Sequence, residues 1–192
     1  MERRKFINQT SLASGALIVA PGLKLKGSEN MRNLESVPGY IRRADKTNTR
    51  AILSGGALLS FLATSKDTNG LYAMFEARGI PGFEPPPHLH ANEDETIYML
   101  EGEFWVKIGD EEFTAKAGDF VFMPRNVRHQ FKVLSKTFHC QIGIFPAGLD
   151  DYFMQLTAPH DSPDVPPLST EPPTSEMMEA IMKLNEKFGI SS

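Results

Sequence analysis

His88, His90, Glu95 and His129 are the residues whose types and spacing could do chemistry in this chain, because three imidazoles and one carboxylate can share a single divalent metal. Residues two apart on a strand point to the same face, so His88 and His90 aim into one space and Leu89 points away. Glu95 has the opposite parity. It rejoins them only if the chain turns, and the polar run Ala91-Asn92-Glu93-Asp94 is suited to that turn. His129 opens another strand after Pro124-Arg125-Asn126-Val127-Arg128, from where hairpin geometry brings a fourth ligand opposite the first three. Pro85, Pro86 and Pro87 hold the approach to His88 extended, which presets the ligand positions. Such a set suits iron, nickel, manganese, cobalt, copper or zinc and does not choose among them. A six-coordinate ion held by four side chains keeps two positions for water or substrate, the arrangement of a catalytic rather than a structural site.

The elements that must position these residues read as short β runs broken by turn residues from Ala51 to Phe153, without a long helical period. Expected strands are Ala57 to Thr64, Leu71 to Ala77, Thr96 to Glu101, Glu103 to Ile108, Glu112 to Ala115, Asp119 to Met123, His129 to Leu134 and Phe138 to Phe145. Asn69-Gly70 is expected to close a tight hairpin between the first two, and Gly102, Gly109-Asp110, Gly118 and Pro124 with Asn126 mark later turns. The spacing suits an all-β double-sheet roll. After Leu156 a proline-rich run, Pro159 to Pro173, cannot join a central ladder and should wrap the barrel or reach a partner. Thr174 to Lys187 reads as a helix with Met177, Ile181, Leu184 and Phe188 on one face and Gly189 past its end.

A chain of 192 residues, 41% hydrophobic, supports one packed domain. Twenty basic residues are scattered among 24 acidic ones, so no stripe is available for a phosphate backbone and nucleic acid is not an expected partner. Cys140, the lone cysteine, excludes an internal disulfide and reads as a buried apolar side chain. Arg3, Arg4, Lys5 and Phe6 lead into the apolar run Leu12 to Ala20, which resembles a twin-arginine export signal although Glu2 and Pro21 depart from its usual form. That run is far short of the ~20 apolar residues of a bilayer span. The expected organisation is an export signal over 1–26, a β-barrel with its lead-in over 27–156, and the proline-rich segment with one helix over 157–192. A periplasmic or exported location follows, with the cytoplasm as the alternative.

Parity assigns Ile97 and Met99 to the face of Glu95 and Phe131 and Val133 to that of His129, so these four are candidate pocket walls; an apolar barrel interior is their simpler reading. Phe120 and Phe122 are ambiguous in the same way, and the facing of Tyr98, Phe104 and Trp105 is open. Glu93 and Asp94 read as solvated turn carboxylates. His139 is expected to hydrogen-bond inside the barrel and His160 to be exposed, while Arg125 and Arg128 read as surface charge in preference to anion-binding groups.

Gly82, five residues, His88-x-His90, four residues, Glu95, six residues, Gly102 resembles the first motif of the cupin superfamily, and Gly118, Pro124, Asn126 and His129 resemble the second. Asn126 stands there for a glycine and Val133 for an asparagine. Asn tolerates the left-handed backbone, so the turn should survive, and no ligand is lost at 133. Gly55 to Leu59, Pro86 to His90, Glu101 to Phe104 and Lys187 to Ile190 further resemble bacterial single-domain cupins of the quercetin 2,3-dioxygenase-like kind, from about residue 50 onward. The resemblance implies a cupin jelly-roll barrel and two-fold association. It also implies one metal on His88, His90, Glu95 and His129, and a dioxygenase reaction that adds O2 to a flavonol-like or other enolic aromatic substrate. Glu95 would then be both ligand and base, taking the substrate's hydroxyl proton, or ligand alone. A metal-dependent isomerase or sugar-processing cupin, and a non-enzymatic small-molecule-binding cupin, remain open beside it.

Overall fold

The computed structural model describes residues 36–43 and 49–192, so the expected export signal lies outside the described residues. Twelve strands and three helices are described. They are β1 (Thr49–Ile52), β2 (Ala57–Ala63), α1 (Ser65–Thr68), β3 (Ala73–Gly79), β4 (Leu89–His90), β5 (Asp94–Glu101), β6 (Glu103–Ile108), β7 (Glu111–Lys116), β8 (Phe120–Met123), β9 (His129–Val133), β10 (Phe138–Phe145), α2 (Leu149–Leu156), β11 (Thr157–Pro159), α3 (Ser175–Phe188) and β12 (Ile190–Ser191). One sheet runs β11-β1-β2-β3-β10-β5-β8, a second runs β7-β6-β9, and β12-β4 form a small third pair. The strands of the described residues pair antiparallel, and β3 and β5 alternate in burial as strands with one face inward do.

The side chains of both large sheets meet in one apolar core, with Phe61, Phe75, Ile97, Met99, Phe104, Val106, Met123 and Ile144 essentially inaccessible. Each is worth roughly 1.5–3 kcal/mol of transfer from water. The aromatic rings pack at defined angles: Phe61 meets Phe75 edge-on at 4.9 Å and Phe104 meets Phe138 at 5.0 Å. Gly102 makes the chain's passage from β5 in one sheet to β6 in the other. Its φ is +87° and an added Cβ would lie 2.6 Å from the Thr137 carbonyl oxygen, so no other residue fits.

Most expected strands appear within one or two residues of their observed limits, and three readings need correction. Asn69-Gly70 does not close a hairpin. The preceding Thr64-Ser65-Lys66-Asp67 caps itself, with Asp67 Oδ2 accepting from the Thr64 amide and hydroxyl at 2.8 Å each, and so nucleates α1. Asn69, at φ +54°, then serves as the left-handed C-cap of that turn. The Asp150 carboxylate holds Ser65 from below, at 2.7 Å from both its amide and its hydroxyl. Second, Met177 is not on a packed face. Ile181, Leu184 and Phe188 are half-buried, but Met177 is 44% exposed because only the C-terminal half of α3 reaches the barrel. Third, the barrel does not stop at Leu156: β11 adds to β1, with Pro159 tolerated because β11 is an edge strand. The proline-rich run lies on the barrel, where Gly56 donates to the Pro166 carbonyl (3.0 Å) and Ser169 to that of Ser54 (2.8 Å). Tyr98, Phe120 and Phe122 face outward, Phe104 faces the core, and Trp105 is half-buried with its Nε1–H 3.3 Å from Glu112.

Candidate metal centre

The approach to the site is built on a strap that mimics a strand. His88 exchanges two backbone hydrogen bonds with His129 on β9, at 3.0 and 2.7 Å. Continuing that register, the prolines before His88 have no N–H to offer, and Glu84 substitutes a side chain: its Oε1 accepts from the Val133 amide at 2.8 Å while Oε2 accepts from Gly82 at 2.7 Å. Arg128 reaches over to donate to the Pro87 carbonyl at 3.1 Å. The strap is thereby fixed at both ends before any ligand binds.

His90 follows on β4, and its carbonyl accepts from the Asn126 amide at 2.8 Å. Asn126 has φ +62°, the left-handed conformation for which Asn was expected to substitute for glycine. Between β4 and β5 the chain turns through Ala91 to Glu93, carrying Glu95 inward between Ile144 of β10 and Met123 of β8. Asp94 and Arg125 tie this turn to the one before His129. The Arg125 amide and Nε each approach Asp94 Oδ1, at 2.9 and 3.0 Å, and an Nη lies 2.8 Å from Oδ2. Those bonds hold the Asp94 carboxyl down at about 2.

The structure brings the four expected residues together, with one ligand atom from each of His88, His90, Glu95 and His129 all within 4.8 Å of one another. His90 Nε2 stands 3.2 Å and His129 Nε2 3.5 Å from the same Glu95 oxygen. His90, Glu95 and His129 are buried and His88 is half-buried, so the site meets solvent on the His88 side. The Nδ1 atoms of His88 and His129 lie 2.9 and 3.1 Å from the carbonyls of Pro86 and Val127. Assigning those nitrogens the proton leaves both Nε2 lone pairs bare.

Burial lowers the pKa of His88, and repulsion from His129 and His90 adds to it, outweighing the opposing effects of Pro86 and Glu95; a neutral imidazole at neutral pH is the ligand form. For Glu95, burial acts to raise the pKa, yet the adjoining His129 and His90 rings outweigh it and hold it well below the usual carboxylate range. His129 Nε2 is fully enclosed without a partner at good hydrogen-bond geometry. An unpartnered buried nitrogen beside two further imidazoles and an ionised carboxylate fits a divalent ion with mixed nitrogen and oxygen preference.

Several flanking residues differ from expectation. Glu93 is not solvated: it is 5% exposed, its Oε2 lacks a partner, and burial raises its pKa despite attraction from His90 and Arg125. Asp94 is an anchor for Arg125, and that guanidinium is consumed by the pairing. His139 points to the outer face, where its Nε2 lies 2.9 Å from Glu76, because the inward parity of β10 belongs to Phe138 and Cys140. His160 is half-exposed beside the Asp164 carbonyl at 3.1 Å. Of the candidate pocket walls, Phe131 and Val133 line an open groove of about 540 Å³ together with Glu84, Pro85, Pro86, Gln130 and Lys132. Ile97 and Met99 share the Glu95 face as parity requires, but they are 1% and 0% exposed in the core and do not line it. The supporting roles of Glu84, Asp94 and Arg128 were missed, since a charged residue in a turn carries no sign of which backbone amide or carbonyl it will meet.

Residues 78–143 match the Cupin domain family, a stretch that contains all four site residues. The chain is 28% identical over 111 residues to a quercetin 2,3-dioxygenase of Bacillus subtilis, covering 57% of this chain and 33% of that protein. It is 30% identical over 133 residues to a quercetin 2,3-dioxygenase of Aspergillus japonicus, covering 64% and 38%. The chain thus spans about a third of the length of the curated relatives it matches. Among solved structures it resembles KdgF from a Halomonas species, with a TM-score of 0.53 and 18% identity over 59% of this chain and 99% of that one. It also resembles an RmlC-like cupin from Shewanella frigidimarina, with a TM-score of 0.51 and 22% identity over 59% and 96%. With both motifs on antiparallel strands of a double-sheet roll and their histidines and glutamate converging, residues 78–143 carry a Cupin domain and the fold is the cupin jelly roll.

Proposed function

We propose that this chain is a metal-dependent oxidoreductase, a dioxygenase that adds O2 to a flavonol-like or other enolic aromatic substrate. The observation that carries the reading is the convergence of His88, His90, Glu95 and His129 within 4.8 Å of one another. The two quercetin 2,3-dioxygenase relatives support the reaction class. A bound divalent ion would supply Lewis acidity, stabilising negative charge on a substrate oxygen. His88, His90 and His129 would hold it through ring nitrogens and Glu95 through a carboxylate oxygen.

The protein's own part is to admit, orient and deprotonate. Substrate approaches from the side of half-buried His88, the one of the four ligands that meets solvent; the groove along Phe131 and the proline strap is lined by none of the four. Glu95 is ionised and so able to accept the hydroxyl proton. It can do so only once its oxygen is released from His90 and His129, which lower its basicity while they hold it. The route into the cell envelope belongs to the same proposal: Arg3-Arg4-Lys5-Phe6 and the apolar run behind them direct export of a chain already folded.

Oxygen uptake tests the reaction, with the protein loaded in turn with iron, nickel, cobalt, manganese, copper and zinc and offered flavonols and other enols. Uptake by at least one metal form, lost in Glu95→Ala while metal is retained, supports the reading. No uptake by any well-loaded form would leave a binding cupin or an isomerase. Export is tested by fractionation of the source cells: full-length protein confined to the cytoplasm contradicts it.

A further inference from the structure

The strand that carries His90 belongs to neither large sheet. Among the described residues its strand partner is β12: Ile190 pairs with His90 and Ser191 with Leu89, and the Ala91 amide extends the ladder by donating to the Gly189 carbonyl at 2.9 Å. A two-residue strand has no stability of its own, so its position is set by what flanks it. On one side that is the Asn126 amide and the His88–His129 bridge; on the other it is the segment Gly189 to Ser191.

That segment is delivered by a specific arrangement. Gly189 ends α3 at φ +69°, with its amide directed back to the Asn185 and Glu186 carbonyls, and a Cβ there would come within 2.8 Å of Asn92 Nδ2 and 3.2 Å of Ala91 Cβ. Ile190 then enters the core at 9% exposure. Upstream, α3 is held where Tyr152 of α2 donates to Asn185 Oδ1 at 2.8 Å and packs edge-on against Phe188 at 5.7 Å. The first half of the helix is free of such contact, with Met177, Met178 and Met182 exposed at 44, 49 and 67%. The hold on the β12 side of β4 therefore rests on one short docked stretch, of the kind that opens locally before the barrel does.

We propose that Gly189–Ser191, docked through Tyr152, is a positioning element of the metal centre: it fixes the His90 strand, metal affinity depends on it, and metal binding in turn tightens it. The inference rests on the reading that the four residues hold a metal. The reciprocity follows from linkage, because an element that favours the bound form must itself be favoured by binding.

Titration of the full chain with cobalt, followed by visible absorption, tests this alongside hydrogen exchange of residues 186–192 and 89–91. Ile190→Gly and Gly189→Val should weaken cobalt binding by about tenfold or more, in the range of other changes that loosen a ligand's support. Ile190→Val should restore binding to within about threefold of the native chain, and Tyr152→Phe, which keeps the ring, should speed exchange of 186–192 with a smaller loss of affinity. Leu59→Ala, a core truncation in β2, reports general destabilisation and should leave affinity within about twofold. In the native chain cobalt should slow exchange at 189–191. Unchanged affinity in folded Ile190→Gly, an equal loss in Leu59→Ala, or no effect of cobalt on that exchange overturns the inference while the metal site stands. A native chain that binds no cobalt or other divalent ion overturns the site reading itself.

Discussion

Replacing Glu84 should show how much of the site's geometry is held by one side chain away from the ligands. Its carboxylate closes the register of the proline strap on β9, accepting from the half-buried Val133 amide at 2.8 Å and from the exposed Gly82 amide at 2.7 Å. In Glu84→Ala the Val133 N–H is left without a partner beside a largely buried residue, a cost of about 1–3 kcal/mol. The Gly82 amide turns to water and adds about 0.5 kcal/mol at most. A total of about 1–3.5 kcal/mol, at about 2–4 °C per kcal/mol for a domain of this size, predicts a melting temperature lower by roughly 2–14 °C. Glu84→Gln keeps a neutral carbonyl oxygen for Val133 and should lose only about 1 kcal/mol. Because the same strap ends in His88, divalent-ion affinity should fall by about tenfold in the alanine variant and recover most of the way in the glutamine variant. Thermal melts followed by circular dichroism and an ion titration measure both. An alanine variant melting within about 2 °C of the native chain, or glutamine no better than alanine, would refute the assignment of Glu84 as the strap's anchor.

Asn126→Gly should leave stability within a few tenths of a kcal/mol, whereas Asn126→Ala should lose about 1 kcal/mol, because φ +62° is paid for in full by alanine; urea unfolding distinguishes them. The Asp94–Arg125 clamp is pH-dependent with a definite sign. The Asp94 carboxyl lies near 2 in the folded chain against an ordinary 3.8, so its stabilisation is complete above about pH 4 and is lost as pH falls through 2. Arg125→Ala should therefore lower the melting temperature at neutral pH, and the difference from the native chain should shrink in acid. Cys140 should be inert: burial, assisted by repulsion from Glu95 and Glu76, pushes its thiol up to about 12, so a thiol reagent at pH 8 should label it only after denaturant is added, and rapid labelling of the native chain would contradict the packing.

The barrel and the ligand set were legible in the sequence because both are local in pattern. Alternation marks strands such as β3 and β5, and His88-x-His90 with Glu95 announces two same-facing imidazoles followed by a turn. What could not be read depends on contacts distant in the chain. β4 and β12 are two residues each and exist only because 89–91 and 189–191 lie together, a pairing no window along the sequence contains. Asn69-Gly70 carries the same left-handed preference in a hairpin turn and in a helix cap, and the Thr64–Asp67 box upstream decided which. Ile97 and Met99 were assigned to the correct face, but parity tells inward from outward and does not tell packed core from open pocket. Glu93 and Asp94 are adjacent acids in one turn, yet one is buried with an oxygen that has no hydrogen-bond partner and the other clamps Arg125, a difference set by elements thirty or more residues away.

The most direct measurement of the central claim is the metal content of purified protein after exposure to a divalent transition ion and exhaustive dialysis, for the native chain and for a His90→Ala, His129→Ala double variant whose circular dichroism remains native. The account predicts one tightly held ion per native chain and none in the variant. A native chain that retains no ion, or a variant that retains as much, would contradict it.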